Sequence, residues 1–444
     1  MKADILITDT LLLPDPGTKT LIRDACVAIG ANRITYAGPM AGCAEIEAEK
    51  VIDGHGRLAM PGLVNLHGHA PMTLFRGLAD DLELADWLNN HIFPAEARSV
   101  NPEMAYWCSS LAAAEMIASG TTLTADGYFH ELDVARAFED AGLRAVAAQG
   151  IIDFPAPGVP DPEKNIDAAA AFVKLRQEND SLVRPALFAH SPYTCSNNTL
   201  QRAKQLADAT GVQLYIHVAE TEHEHSLINE PLGPSPIKHL QGLGILDENT
   251  ICVHCVWTDQ EDLQILAGQG SPVVLCPQSH LKLASGMADL PRMLEMGIRV
   301  GLGTDGCASN NSLDMFREMD ICAKIQKLHR FDPVAVPATE VLKLATENGA
   351  AISGFPGHTG TLAPGSPADL ILIDLQQPHL QPFYNADLLV YAASGTDVRT
   401  VIIDGRIVME EGKLLTIDLD EVLQQVRSLT TEQNSRVVQK DTRF

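Results

Sequence analysis

The sequence predicts an α/β protein in which a parallel (β/α)8 barrel of the TIM type is joined to a small β-sandwich built from both chain ends. Three observations carry this expectation. Strand-like apolar runs alternate with helical segments eight times across residues 61–355, the rhythm of a closed parallel barrel rather than an open sheet. Five of those runs stop at a metal-binding or acid/base side chain. The two ends of the chain share another style, short strands broken by turns, and neither end could bury its own apolar face alone.

Each element follows from its residues. Residues 4–8, 25–29, 33–37 and 50–53 gather aliphatic and β-branched side chains between turns, and residues 369–373 and 398–403 return to that pattern. Asp404-Gly405 is a hairpin-turn signal. The expected division is a composite sandwich with a closing helix from 1–60 and 356–444, and a barrel from 61–355. Barrel strands begin near Gly62, Thr121, Arg144, Arg184, Val212, Thr250, Pro272 and Ile298. Helical periodicity separates them over residues 104–119, 132–141, 166–178 and 200–210. Extra helices are expected over 313–327 and 339–351, and a last one over 420–434.

Composition bounds the function. The 444 residues carry a net charge of −25 and are 45% hydrophobic, enough for a large core and repulsive toward phosphate backbones. Nucleic acid is therefore excluded as a partner class, and a small molecule is favoured. No run approaches the ~18 apolar residues of a membrane span, and the start of the chain lacks a secretory apolar region. A cytoplasmic enzyme is expected, with no membrane partner and with homo-oligomers as the ordinary assembly. The nine cysteines are then read as reduced and buried. Cys252-Val253-His254-Cys255 contains a CxxC, but it lies in an apolar strand without a second such pair and reads as core.

The strand ends carry the chemistry. Leu63-Val64-Asn65-Leu66 precedes His67-Gly68-His69, and alternation lets both imidazoles face one ion. Residues 186–189 precede His190, residues 212–216 precede His217 with Glu220 three further on, and residues 251–253 precede His254. Residues 298–302 lead to Asp305 in Gly303-Thr304-Asp305-Gly306. A lone histidine of this kind is usually a core residue, and Asp-Gly is usually a turn. Five strand ends converging on one barrel mouth make the catalytic reading the better one. His67, His69, His217 and Asp305 form an N/O ligand set for one divalent metal, zinc or ferrous iron, with a position open for water. Glu220, His254 and Asp305 are the expected acid/base groups, and His190 a substrate contact. A second HxH, His223-Glu224-His225, sits among charged residues and reads as a solvated helix face.

With those residues in place, the chain resembles the amidohydrolase superfamily, and within it the 5-methylthioadenosine/S-adenosylhomocysteine deaminases. The matching stretches are Pro61 to His69, Phe75-Arg76-Gly77-Leu78-Ala79-Asp80-Asp81, Trp87 through Pro94-Ala95-Glu96, and His190-Ser191-Pro192-Tyr193-Thr194. His217-Val218-Ala219-Glu220-Thr221, Leu281 to Gly286 and Gly303 to Gly306 complete them. The resemblance implies deamination of an adenosine-type nucleoside at purine C6, with ammonia released and the inosine analogue formed. It also implies that Glu96 receives the ribose hydroxyls, and that His190, His217, Glu220, Trp87 and Gln149 contact substrate. Deaminases or hydrolases of guanine, cytosine or a triazine are the alternative on the same metal set. The chain departs from the pattern at three places. Gln149 stands where some relatives carry a substrate-binding arginine, His280 where asparagine is common, and Cys307 where alanine is more usual.

Overall fold

Eight parallel strands form one sheet in sequence order. They are β1 (Leu63–Gly68), β2 (Thr121–Tyr128), β3 (Arg144–Ile151), β4 (Val183–Ala189), β5 (Leu214–Val218), β6 (Thr250–His254), β7 (Val273–Leu275) and β8 (Val300–Leu302). Each begins within two residues of its expected start. This computed structural model describes residues 2–178, 181–228, 235–355, 357 and 360–441.

The strands read as near-continuous apolar runs because both of their faces are covered. On β3, Val146 and Ala148 join the barrel interior with Leu66, Ala125 and Phe188. Ala145, Ala147 and Ile151 face the surrounding helices instead. Strand β8 comes round to β1, and the seam is closed by the residues that lead into the site. Thr304 N donates to Asn65 Oδ1 at 3.0 Å, Asn65 Nδ2 to Thr304 Oγ1 at 2.8 Å, and Asp305 N to His67 O at 3.0 Å. Gly303 permits this approach, since a Cβ there would lie 2.7 Å from His67 N.

The helices follow the sequence closely. Pro102–Ala118, Glu131–Ala141, Asn165–Gln177 and Asn197–Thr210 occupy the expected places. Asn101 and Ser196 cap the first and last of these through their side chains. One expectation is corrected: residues 339–351 form two helices, Ala338–Leu344 and Glu347–Ser353, broken at Ala345 and Thr346.

The chain ends combine as expected into a second, mixed sheet of nine strands. Leu370–Asp374 pairs antiparallel with Arg57–Pro61, with Ile371 opposite Met60. Ile7, Val27 and Ile29 from one end share a core with Leu370, Leu372 and Ile402 from the other. Arg144, at the start of β3, ties this sheet to the barrel. Its Nε donates to Asp369 Oδ2 at 2.7 Å and its Nη2 to Asp404 Oδ1 at 3.0 Å. The closing helix spans Leu419–Asp441.

The thiol expectation is corrected in part. Cys26 and Cys43 are joined by a disulfide, because the hairpin of Ile22–Gly30 and Arg33–Pro39 brings the turn Met40–Cys43 back over the first strand. Cys108, Cys195, Cys252, Cys255, Cys276, Cys307 and Cys322 are free and buried. Among the described residues no helix is long and apolar enough to cross a membrane.

Candidate active site

At the C-terminal ends of the strands, β1 brings His67 and His69 against His217 of β5. The three histidines each offer a ring nitrogen, all within 4.8 Å of one another. His67 Nε2 lies 3.3 Å from His217 Nε2, and Asp305 Oδ1 lies 3.4 Å from Nε2 of both His67 and His69. An irregularity in the β1–β2 pairing between Asn65 and Gly68 re-aims this strand end. Asp305 stands in the left-handed region with φ 61°, a conformation aspartate tolerates better than most side chains.

The protonation states suit a cation. His69 Nδ1 sits 2.6 Å from Gly127 O, so it is the donor there and Nε2 keeps its lone pair for the cluster. Burial, then the His67 charge, lowers His69 to about 4, and burial holds His217 well below the ordinary histidine range. Burial would raise Asp305, but its hydrogen bond to His67 and the charges of His67, His69 and His254 hold it well below the usual carboxylate range. Imidazoles that resist protonation, as His69 and His217 do, and an ionised carboxylate are what a divalent ion needs. These four groups fit one.

Glu220 and His254 stand beside the cluster. Burial, then Asp305 and Glu224, pushes Glu220 well above the usual carboxylate range, which favours its protonated form. His254 Nε2 lies 3.8 Å from Glu220 Oε2, and its Nδ1 lies 3.0 Å from His280 Nε2. Plain alternation would turn His254 outward with Cys252, which packs among the outer core residues. Left-handed backbone at His254 and Cys255, φ 81° and 45°, ends that alternation. His254 consequently lines the cavity.

That cavity has a volume of about 460 Å³ and is lined by Glu96, Trp87, His190, His217, Glu220 and Asp305 among others. Glu96, 5% exposed, accepts a 2.5 Å hydrogen bond from Tyr128 OH. Burial raises it to about 7, and the tyrosine partly offsets that. His190 Nδ1 pairs with Thr194 Oγ1 at 2.9 Å, leaving its other nitrogen free to face the cavity. Trp87 is buried in the apolar cluster of Met72, Phe75 and Tyr128.

Gln149, expected to contact substrate, stands apart from the other expected residues. Gln149 is not among the lining residues, and its Nε2 donates to Gly150 O at 3.3 Å. On β3 it shares its side with Ala145, Ala147 and Ile151, which face the helix layer. The second HxH is corrected at its centre. Glu224 is 2% exposed and accepts from Glu220 N at 2.9 Å, so it supports the loop that carries Glu220.

Three further residues went unnoticed in the sequence. Phe188 stacks against His67, ring centroids 5.8 Å apart, and lies edge-on to His217 at 4.7 Å. It stands two residues before His190, so strand alternation alone could have found it. Ser279 Oγ donates to Asp305 Oδ2 at 2.6 Å, and Tyr128 holds Glu96; neither carries a local signal.

Known proteins resemble this chain along nearly its whole length. A 5-methylthioadenosine/S-adenosylhomocysteine deaminase of Syntrophus aciditrophicus is 45% identical over 428 residues, covering 96% of each chain. A 5′-deoxyadenosine deaminase of Methanothermobacter thermautotrophicus is 42% identical over 433 residues, covering 96% of this chain and 98% of that one. The crystal structure of a zinc-bound adenosine deaminase from Xanthomonas campestris superposes with a TM-score of 0.94 at 32% identity, over 98% of this chain and 99% of that one. Residues 58–408 match the amidohydrolase family, and the chain belongs to that family.

Proposed function

We propose that this protein deaminates an adenosine-type nucleoside by hydrolysis at purine C6. The observation that carries the reading is one cavity bordered by Asp305 and the cluster of His67, His69 and His217, with the enclosed acid Glu220 beside it and the buried Glu96 across from it. His67, His69, His217 and Asp305 would hold one divalent ion, zinc by our reading, with ferrous iron the other metal this donor set accepts. Bound there, such an ion lowers the pKa of a water to roughly 7 and so supplies a nucleophile at neutral pH.

The chain's own groups do the rest. Protonated Glu220 donates to purine N1, so that negative charge does not build on the ring as C6 is attacked. Asp305 accepts one proton of the attacking water and returns it to the leaving amine, which departs as ammonia, and the remaining hydroxyl proton restores Glu220 as the C6 carbonyl forms. The two carboxylates hold opposite protonation states, as an acid/base pair at one pH must. His254 orients the water. His190 contacts a heteroatom of the base, and Glu96 accepts from the ribose hydroxyls. The names of the relatives support this substrate class.

The apolar side chains of Leu84, Trp87, Leu88, Phe93, Phe129 and Phe154 line the same cavity and supply a surface for the 5′ substituent. We place catalysis in residues 61–355 and assign 1–60 with 356–444 to a supporting unit. We further infer a homo-oligomer working in the cytoplasm, the ordinary state for a small-molecule enzyme of this kind.

The test is an ultraviolet assay of the zinc-loaded protein on 5′-methylthioadenosine, S-adenosylhomocysteine, adenosine, guanine, cytosine and melamine. Conversion of the adenosine compounds to inosine counterparts is expected. Turnover confined to a free base or a triazine would overturn the nucleoside reading.

A further inference from the structure

The helix Pro277–Lys282, which follows β7, touches two proton-handling residues through adjacent side chains. Ser279 reaches Asp305, and His280 reaches His254. Both are buried, Ser279 wholly and His280 to 4% exposure. The helix is itself held from below, where Glu318 accepts from Gln278 N at 3.1 Å and from Gln278 Nε2 at 2.7 Å. His254 has no other hydrogen-bonded side chain on its Nδ1 edge among the described contacts.

We propose that His280 is a positioning residue for the reaction: it donates Nε2–H to His254 Nδ1 and so fixes which nitrogen of His254 carries the proton. Two neutral imidazoles facing each other nitrogen to nitrogen place one proton between them, and one ring must accept. When His280 donates, His254 keeps its own proton on Nε2. That nitrogen faces the Glu220 carboxyl at 3.8 Å and the ligand cluster. The opposite tautomer would offer a lone pair to the Glu220 O–H and draw away the proton that purine N1 needs. With Nε2 protonated, His254 donates to the oxygen of the attacking water and leaves that oxygen's lone pair for C6. This inference rests on the deaminase reading for the roles of His254 and Glu220, and on the His254–His280 contact for the pairing.

The reach of the side chain matters. The contact is made by the distal ring nitrogen, Nε2, and glutamine ends in a donor at a similar distance from its Cβ, whereas leucine has none. In His280→Leu, kcat should fall about 10- to 100-fold, the usual cost of losing such an outer partner, with zinc content and KM unchanged. His280→Gln should recover most of that loss. Adding His280→Leu to His254→Ala should cost nothing further, because the two residues act as one unit.

The tautomer has its own readout. In zinc-loaded protein labelled with nitrogen-15 histidine, His254 should show an unprotonated Nδ1 and a protonated Nε2, and the signature should change in His280→Leu. A protonated Nδ1 on His254 in the wild type overturns the proposal, as does wild-type turnover in His280→Leu. If the wild type deaminates no nucleoside, the functional reading fails while the nitrogen-15 result still decides the tautomer. Should His280→Leu unfold, the wild-type spectrum and His280→Gln carry the decision.

Discussion

Single residues decide the chemistry here through burial. A carboxylic acid in water would be ionised at neutral pH and could donate nothing, yet the enclosure of Glu220 beside Asp305 and Glu224 favours the form that carries its proton. Glu220→Gln removes that proton and little else. Turnover should fall by about 100-fold or more, with zinc content intact, as single-turnover rates and metal analysis would establish. Near-normal turnover would take Glu220 out of the mechanism.

Glu96 carries a pH dependence with a definite sign. Burial raises it to about 7, so below that pH it is protonated and offers the ribose one acceptor fewer. Above it, the full carboxylate is available. The kcat/KM for a riboside should therefore rise through neutral pH, mainly through KM. Glu96→Gln should flatten that limb and weaken riboside use about 10-fold or more, since a hydrogen bond to a charged group contributes ~1.5–3 kcal/mol. A limb that persists in Glu96→Gln would assign the titration to another group. The sequence marked Glu220 and Asp305 directly, by position after apolar runs. Glu96 came only by resemblance, because a glutamate on the helix Phe93–Ser99 looks like any surface acid until the cavity closes over it.

At the scale of elements, strand ends are the organising device. Seven-residue or shorter runs such as Val183–Ala189 and Leu214–Val218 were legible because strands covered on both faces are apolar along most of their length. Where each side chain points at the end of a run was less legible. Regular alternation accounts for Phe188, His190 and the outward turn of Gln149. It does not account for His254, whose left-handed backbone depends on the loops it joins. The seam between β8 and β1 makes a testable case. Gly303→Ala would bring a Cβ to 2.7 Å from His67 N and 2.8 Å from His67 Cβ, and neither can move without opening the barrel. The expected result is a loss of about 1–3 kcal/mol or more in denaturant unfolding, together with lowered zinc occupancy. Full zinc occupancy and unchanged stability would mean the seam is looser than its hydrogen bonds imply.

At the scale of the whole molecule, the second sheet braces the barrel at a few buried polar contacts. Arg144, 7% exposed, joins Asp369 and Asp404 across the boundary. Arg144→Met removes the guanidinium that pairs with the buried Asp369 carboxylate. Breaking one side of such a pair costs about 3–5 kcal/mol, so the urea midpoint should drop clearly. The double variant Arg144→Met with Asp369→Asn should recover part of the loss, because the uncompensated charge is gone. If the single variant unfolds like the wild type, the boundary is held by apolar packing instead.

The barrel, the terminal sheet and the placing of His67, His69, His217, Glu220 and Asp305 at strand ends were determined by the sequence itself, because apolar periodicity and turn residues act locally and these side chains sit at fixed offsets from strands. Other features were decided only by the tertiary structure: the inward turn of Glu224, the exclusion of Gln149 from the cavity, the Cys26–Cys43 bond and the grips of Ser279 and His280 on Asp305 and His254. Each of these joins groups from separate turns or elements. Burial and hydrogen-bond pairing across such junctions exist only once the chain has closed, and no local pattern records them.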